Sequence, residues 1–132
     1  IMIMPRTKLT GVAPILLVKD IRAAADYWVS KIGFTEMELF GEPANFAIGS
    51  RDGIRIMLSQ VAPCAEIVPH WKTVNMMWNA YFWVDDAKAL YEELTQRGAI
   101  IDYELHVKPY HVLEFGIQDL EGHDIAFGQI LK

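Results

Sequence analysis

Apolar and polar residues alternate along two similar stretches of the chain, and both stretches predict hairpins. A shift of 69 residues places residues 46–53 on residues 115–122, and the similarity continues into the strand that follows. In each copy, alternating strands flank a short loop that ends in glycine, which is typical of a type I turn followed by a residue at positive φ. We therefore expect Gly53 and Gly122 at positive φ, which glycine adopts without steric cost.

The segments that precede the hairpins are also repeated, at a shift of 66 residues. Each begins with a short apolar strand and continues to an aspartate, Asp20 or Asp86, where a side chain can cap the start of a helix. Apolar residues then recur every three or four positions, which predicts two amphipathic helices. Gly33 and Gly98 are expected to end these helices.

The chain is thus predicted to be a single α+β domain, residues 1–132, made of two tandem βαβββ units that form a curved mixed sheet around a cavity. Unit 1 covers about residues 11–60, a linker covers 61–78, and unit 2 covers about 79–131. Strands are expected near residues 12–18, 34–40, 44–49 and 54–60, and near 79–84, 99–107, 112–118 and 123–130. The linker is expected to be a loop or a short irregular element.

Strand alternation predicts one face of each unit that a helix covers and a second face of mixed character. The second face is expected to hold Ala13, Ile15, Leu17, Asn45, Ala47, Arg55, Met57 and Ser59 in unit 1, and Asn79, Tyr81, Trp83, Glu114, Gly116, Ala126 and Gly128 in unit 2. An unpaired buried polar group costs about 1–3 kcal/mol, so this composition is unusual for a packed core.

This mixture of apolar walls and a few polar anchors favours a concave ligand site. The alternative is a sheet face that is simply solvated. The candidate ligand-binding residues are Asn45, Arg55, Met57, Asn79, Tyr81, Trp83 and Glu114.

The composition limits which binding partners and which cellular compartment are expected for this protein. The net charge is −5, with no basic patch of the kind that binds nucleic acid. No apolar run approaches the roughly 20 residues of a membrane span, so the 52% hydrophobic residues belong to a core or a cavity lining. The chain start lacks the features of a signal peptide. The single Cys64 cannot form an internal disulfide, and together these features predict a cytoplasmic protein.

Three motifs carry a family resemblance: Val18-Lys19-Asp20 before the first helix, Trp83-Val84-Asp85-Asp86 before the second, and the segment 114–123 leading to Ala126-Phe127-Gly128-Gln129. In this order they resemble the vicinal-oxygen-chelate superfamily, which contains glyoxalase I, bleomycin-resistance proteins, fosfomycin-resistance enzymes and extradiol dioxygenases. The family hairpin reads Phe-x-x-x-Asp-Pro-Asp-Gly, and here Leu120 and Glu121 replace its Pro and second Asp. The resemblance covers about residues 11–131.

The resemblance implies that the family's metal site is missing. Metal enzymes of this superfamily place one ligand on the first and last strand of each unit, at the positions of Ala13, Met57, Asn79 and Ala126. Alanine has no donor atom, and a thioether is a poor ligand for hard or borderline divalent ions. We therefore expect no metal or other cofactor, and none of the metal-dependent reactions of the family.

Three functional hypotheses remain open. The leading one is a homodimeric binding protein similar to the bleomycin-resistance branch, which sequesters an aromatic or cationic compound and so contributes to antibiotic resistance. In it, stacking and cation–π contacts come from Trp71, Trp78, Tyr81 and Trp83, and Glu114 binds a cationic ligand. The alternative for Glu114 is an internal ion pair with Arg55. The second is an enzyme of the same superfamily, a lyase, isomerase or dioxygenase without metal or with non-standard ligands, in which Glu114 is the candidate catalytic acid or base. The third is a structural or regulatory dimer whose cavity is closed.

Overall fold

A computed structural model describes residues 3–132 and contains the predicted unit twice. The first unit consists of β1 (Ile15–Val18), α1 (Ile21–Ser30), β2 (Thr35–Phe40), β3 (Phe46–Arg51) and β4 (Ile54–Gln60). The second consists of β5 (Ala80–Trp83), α2 (Ala87–Arg97), β6 (Ile100–Val107), β7 (Val112–Gln118) and β8 (Asp124–Ile130). One turn of 3-10 helix at His70–Lys72 lies in the linker. The α+β fold class with two tandem units is confirmed.

Each unit forms its own four-stranded mixed sheet. The strand orders are β1-β4-β3-β2 and β5-β8-β7-β6. In both sheets the first and last strands of the unit pair in parallel, and the other neighbours are antiparallel. No helix in the described residues is long and apolar enough to cross a membrane.

The predicted turns and caps are largely present. Gly53 and Gly122 have φ angles of 77° and 83°, so both hairpins end as the repeat predicts. The side chain of Asp20 accepts two backbone hydrogen bonds at the start of α1, and that of Asp86 accepts one at the start of α2. Gly98 ends α2 in the left-handed conformation, whereas α1 already ends at Lys31, two residues before Gly33.

The helix-covered faces of both sheets join in one hydrophobic core. Trp28 on α1 contacts Phe34 edge-on, with ring centroids 4.9 Å apart, and also approaches Phe82 of the second unit. Phe82 in turn stacks on Phe127 at 5.5 Å. Trp28 is completely buried, so the core of neither unit is complete without the other.

Hydrogen bonds and an ion pair also connect the two units at this junction. The Tyr27 hydroxyl on α1 donates to the carbonyl of Gln118 at 2.6 Å and accepts from the backbone N–H of Ile100 at 3.0 Å. A bidentate pair joins the Arg51 guanidinium to the Glu93 carboxylate, with N···O distances of 2.7 and 2.8 Å.

The ion pair at the junction is sensitive to acid. Hydrogen bonds from Arg51, and then from Arg97, lower the pKa of Glu93 to about 2 from its ordinary value of 4.5. Because the pKa of Glu93 is lower in the folded state than in the unfolded state, the ion pair of Arg51 and Glu93 stabilises the fold fully above about pH 4.5. This stabilisation is lost as the pH falls towards 2, where Glu93 becomes protonated.

The joint core turns the second face of each sheet outward. Ile15 and Leu17 on β1 are 59% and 46% exposed, and Trp83 on β5 is 62% exposed. Within one chain the two faces therefore do not enclose a common cavity, because the helix faces are the ones that pack together. We call these outward surfaces the open faces of sheet 1 and sheet 2.

One expected member of the open face of sheet 1 lies on the opposite side. Ala47 pairs with Leu58, which also pairs with Leu16, and all three are buried in the core. Phe46 and Ile48 occupy the open face instead, opposite Ser59 and Met57. The prediction for Ala47 is wrong because β3 begins at Phe46, and the preceding turn does not continue the strand alternation.

Replacing Tyr27 with phenylalanine should weaken the junction between the units. The change removes the donor to the Gln118 carbonyl and the acceptor for the Ile100 N–H, and the hydroxyl is buried. We expect the free energy of unfolding to fall by about 1–3 kcal/mol, measured by denaturant titration. The control is Tyr91→Phe on α2, whose hydroxyl has no hydrogen-bond partner within residues 3–132. Equal stability of the two variants would contradict the role given to Tyr27.

Candidate functional site

A buried carboxylate lies at the centre of the open face of sheet 2. Glu114 on β7 has no exposed surface, and its two oxygens accept hydrogen bonds from three phenols. The Tyr81 and Tyr110 hydroxyls donate to Oε1 at 2.7 and 2.8 Å, and the Tyr103 hydroxyl donates to Oε2. An ionised carboxylate can accept all three, since it has about four acceptor positions and no proton of its own. We call these four residues the tyrosine–carboxylate cluster.

Two glycines make room for the rings of this cluster. Gly116 lies opposite Tyr103 in the β6–β7 pair, and a Cβ there would overlap the Tyr103 ring. A Cβ at Gly128 would overlap the Tyr81 hydroxyl. The tyrosines can therefore lie flat across the strands and reach the carboxylate only because these positions lack side chains.

The phenols remain proton donors over the whole physiological range. Burial, followed by the Glu114 carboxylate, raises the pKa of Tyr110 to about 12. The same two causes raise the pKa of Tyr81 and Tyr103 further above the ordinary value for a phenol. Each hydroxyl uses its single proton in a hydrogen bond to Glu114, so towards the surroundings its oxygen can act only as a hydrogen-bond acceptor.

A lysine compensates the charge of the buried carboxylate. The Lys108 ammonium lies 4.0 Å from Oε2 of Glu114 and 4.9 Å from the centre of the Tyr103 ring. Its side chain is only 15% exposed. Glu114 is therefore held by an ammonium and three phenols from the same unit, and not by Arg55, which is exposed on sheet 1. The predicted pairing of Glu114 with Arg55 is wrong.

Aromatic rings continue from the cluster across the open face. Trp78 contacts Tyr81 with centroids 4.7 Å apart, and Tyr81 contacts Trp83 at 4.6 Å. The Trp78 indole N–H donates to the Tyr103 hydroxyl at 3.1 Å. Sheet 2 thus presents a row of three rings, and the tyrosine in the middle is fixed by the carboxylate beneath it.

The end of the linker forms a wall beside this row. The Trp71 indole N–H donates to the carbonyl of Gly122 at 2.7 Å, and the Asn79 side chain accepts from the backbone N–H of His70 at 3.0 Å. Between this wall and the sheet lies a cavity of about 320 Å³. Its lining is formed by Trp71, Asn75, Met76, Trp78, Asp102, Tyr103, Lys108, Gln118 and Asp124.

A larger cavity, of about 420 Å³, lies at the junction of the two units. Its floor contains Phe34, Phe82 and Phe127, which also belong to the joint core or pack against it. Arg51 and Glu93 at its edge are already paired with each other. The smaller cavity adjoins the aromatic row and has the Asp102 and Asp124 carboxylates in its lining, and we regard it and the row as the candidate site.

The family of the chain follows from a comparison with known proteins. A family model for the Glyoxalase/Bleomycin resistance protein/Dioxygenase superfamily matches residues 9–127. The chain belongs to this superfamily. No curated protein matches the chain significantly.

Several solved structures share the fold of this chain at low sequence identity. TioX from Micromonospora sp. ML1 is 22% identical, with a TM-score of 0.72 and coverage of 92% of this chain and 99% of TioX. The bleomycin-binding protein from Streptomyces verticillus is 24% identical, with a TM-score of 0.70 and coverage of 96% and 100%. The antibiotic-binding protein TnmS3 from Streptomyces sp. CB03234 is 18% identical, with a TM-score of 0.67 and coverage of 95% and 100%. These likenesses establish the fold alone.

The residues at the four metal positions that the family resemblance implies do not fit a metal. Ala13 and Ala126 have no donor atom, and the Asn79 side-chain oxygen is engaged by the N–H of His70. Met57 pairs with Ile15 on sheet 1 and supplies a thioether. Within residues 3–132 there is also no group of three or more His, Cys, Asp or Glu residues arranged to hold an ion. We derive no chemistry through a metal for this chain.

The structure brings together some of the predicted site residues and separates others. Tyr81, Trp83 and Glu114 lie together on sheet 2. Asn79 lies at the base of the linker wall, where its side chain holds His70 in place. Arg55 and Met57 lie on sheet 1, and Asn45 is exposed in the turn before β3. As ligand-binding residues, all seven stay predictions.

Several important residues of the site were not predicted: Asp102, Tyr103, Lys108, Tyr110 and Asp124. A signal for Tyr103 was present, as it was for the predicted Tyr81. Gly116 and Gly128 interrupt strands that are otherwise bulky, and glycine within a strand often marks a close approach of another group. Which rings cover these glycines depends on the pairing of β6 with β7 and of β5 with β8.

Divalent metals should not stabilise this protein. The melting temperature should stay unchanged after addition of nickel, zinc, manganese or iron(II), because linkage requires preferential binding to the folded state. The measurement is thermal unfolding of chelated and dialysed protein with and without each ion. A stoichiometric metal that survives chelation and dialysis would contradict this expectation.

Proposed function

We propose that this protein binds an aromatic or cationic small molecule on the open face of sheet 2 and sequesters it without converting it. The observation that carries the proposal is the tyrosine–carboxylate cluster. It fixes Tyr81 against Trp78 and Trp83 and so provides a rigid aromatic surface beside a cavity. Aromatic surfaces of this kind bind planar rings by stacking and cations by cation–π attraction. A preformed surface also reduces the entropy lost on binding.

The environment of Glu114 favours binding over acid–base catalysis. A general base needs access to the proton that it removes, within hydrogen-bond distance or through one water. Glu114 is fully buried and already accepts three phenol hydrogen bonds. A substrate therefore meets the phenols and not the carboxylate, and the carboxylate acts as a structural anchor for the rings.

Two structural neighbours support the same direction by analogy. One is a bleomycin-binding protein solved with copper(II)-bleomycin, and another is an antibiotic-binding protein. Both have the fold of this chain over nearly their whole length. Because one fold serves many functions, the analogy supports the class of function and does not identify the ligand.

Acridone, a neutral planar three-ring compound, tests the proposal. We expect acridone to bind saturably to the protein, as measured by isothermal titration calorimetry. Acridone should be recovered chemically unchanged. Trp83→Ala should weaken binding roughly two- to tenfold, the equivalent of about 0.5–1.5 kcal/mol for a lost aromatic contact. Trp83 is 62% exposed, so the change should leave the fold intact.

The control for this experiment is Val29→Ala, which removes an exposed apolar side chain from α1, away from the site. Its affinity for acridone should match that of the unmodified protein. If acridone binds equally to the Trp83 variant, or if neither acridone nor its protonated analogue 9-aminoacridine binds to the unmodified protein, the open face of sheet 2 is not an aromatic-ligand site and the proposal fails.

We also propose that the protein is a homodimer in which a second chain completes the binding groove. The open face of sheet 1 exposes Ile15, Leu17 and Phe40, and that of sheet 2 exposes Trp83. An apolar sheet face gains stability when another surface covers it, at about 25 cal/mol per Å² of apolar area removed from water. Sedimentation at micromolar concentration should give a species of twice 15.0 kDa. A 15.0 kDa species alone would contradict the dimer.

A further inference from the structure

Strand β6 is bulged where it lines the cavity of the candidate site. Ile101 pairs with Ile117 and Tyr103 pairs with Gly116, so Asp102 is an extra residue between two consecutive pairs. In a regular strand, neighbours point to opposite faces. Here Asp102 and Tyr103 both line the cavity, and bulges are known to redirect side chains in this way next to functional sites.

A second carboxylate lies at the base of the same cavity. Asp124 at the start of β8 is only 8% exposed, and its Oδ1 accepts a hydrogen bond from the Gln118 side chain at 2.9 Å. Asp102 lies nearer to solvent. Burial raises the pKa of Asp102, and the Asp124 carboxylate raises it further. Both carboxylates belong to the lining of the same cavity.

No cation of the protein neutralises this pair. Within residues 3–132, neither Asp102 nor Asp124 has a lysine, arginine or histidine nitrogen within 4.0 Å. Lys108 also lines the cavity, but its ammonium is directed to Glu114 and the Tyr103 ring. The charge of Lys108 is therefore balanced by a different carboxylate.

The remaining groups of the cavity match a cation attached to a ring. The indoles of Trp71 and Trp78 form part of the lining, and the Tyr103 hydroxyl donates its hydrogen bond to Glu114 and therefore has no proton to offer a ligand. Aromatic faces attract cations, and the attraction increases in a partly desolvated cavity. Both features disfavour an anion.

We propose that the cavity beside sheet 2 is a subsite for an organic ammonium or iminium group, whose positive nitrogen lies between Asp102 and Asp124 while its attached ring contacts Trp71 and Trp78. This deepens the proposed function, on which it rests, by selecting cationic aromatic ligands over neutral ones. Asp102 and Asp124 are then the residues that determine specificity.

The test compares 9-aminoacridine, which is protonated at neutral pH, with acridone, which has the same three-ring skeleton and no charge. We expect 9-aminoacridine to bind about tenfold more tightly than acridone to the unmodified protein, by calorimetry at pH 7. Asp124→Asn and Asp102→Asn should each reduce that preference several-fold by weakening only the 9-aminoacridine complex. Asparagine keeps the side-chain oxygen that Gln118 contacts, so the fold should be preserved, which thermal unfolding can check.

The matched control is Asp26→Asn, which removes the same charge from the exposed surface of α1. It should leave the preference for 9-aminoacridine unchanged, and this separates a local effect from a change in net charge. Equal affinity for both compounds, or no effect of either cavity variant, would overturn the ammonium subsite while the aromatic site of the proposed function stands. Failure of both compounds to bind would overturn the proposed function and the subsite together.

Discussion

The packing of two apolar sheet faces into one core is the constraint on which the rest of the molecule depends. Each unit has one helix and one four-stranded sheet, too little to bury a core alone. Trp28 of the first unit and Phe82 of the second meet at the junction, and Tyr27 and the Arg51–Glu93 pair hold its edges. Because the helix-covered faces are used in this way, the opposite faces of both sheets point outward. The surface available for a ligand is decided by this packing before any binding residue is considered.

On the outward face of sheet 2, the arrangement of the side chains depends on the buried, desolvated carboxylate of Glu114. Removing a carboxylate from solvent costs several kcal/mol unless hydrogen bonds and an opposite charge compensate it. Glu114 obtains both, from three phenols and from Lys108. The compensation has a structural consequence, since each phenol that reaches the carboxylate is fixed in position. The carboxylate therefore converts flexible aromatic side chains into a rigid surface, and two glycines provide the necessary space.

The same superfamily includes metal enzymes and proteins that bind antibiotics, and the fold does not distinguish between them. In this chain, the side chains at the implied metal positions and the buried Glu114 carboxylate indicate which of these functions is favoured. Two of the four metal positions are alanines, a third is a thioether, and the amide at the fourth holds the linker in place. Glu114, the acid of the open face with no exposed surface, is enclosed by phenols. Asp102 and Asp124, which have no lysine, arginine or histidine nitrogen within 4.0 Å in residues 3–132, lie in an aromatic cavity. There they suit recognition of a cation better than proton transfer to a bound substrate.

The sequence by itself determined the repeat, the two βαβββ units, the turn glycines and the helix caps, because these depend on local periodicity and on the conformations of single residues. It also identified Tyr81, Trp83 and Glu114 as neighbours on one face, since strand alternation is regular in β5 and β7. Only the tertiary structure decided that the open faces point away from each other within one chain. It alone brought Tyr103 and Tyr110 to Glu114 and placed Asp102 beside Asp124, because a bulge in β6 breaks the alternation, and contacts between distant strands are set by pairing and packing and not by local sequence.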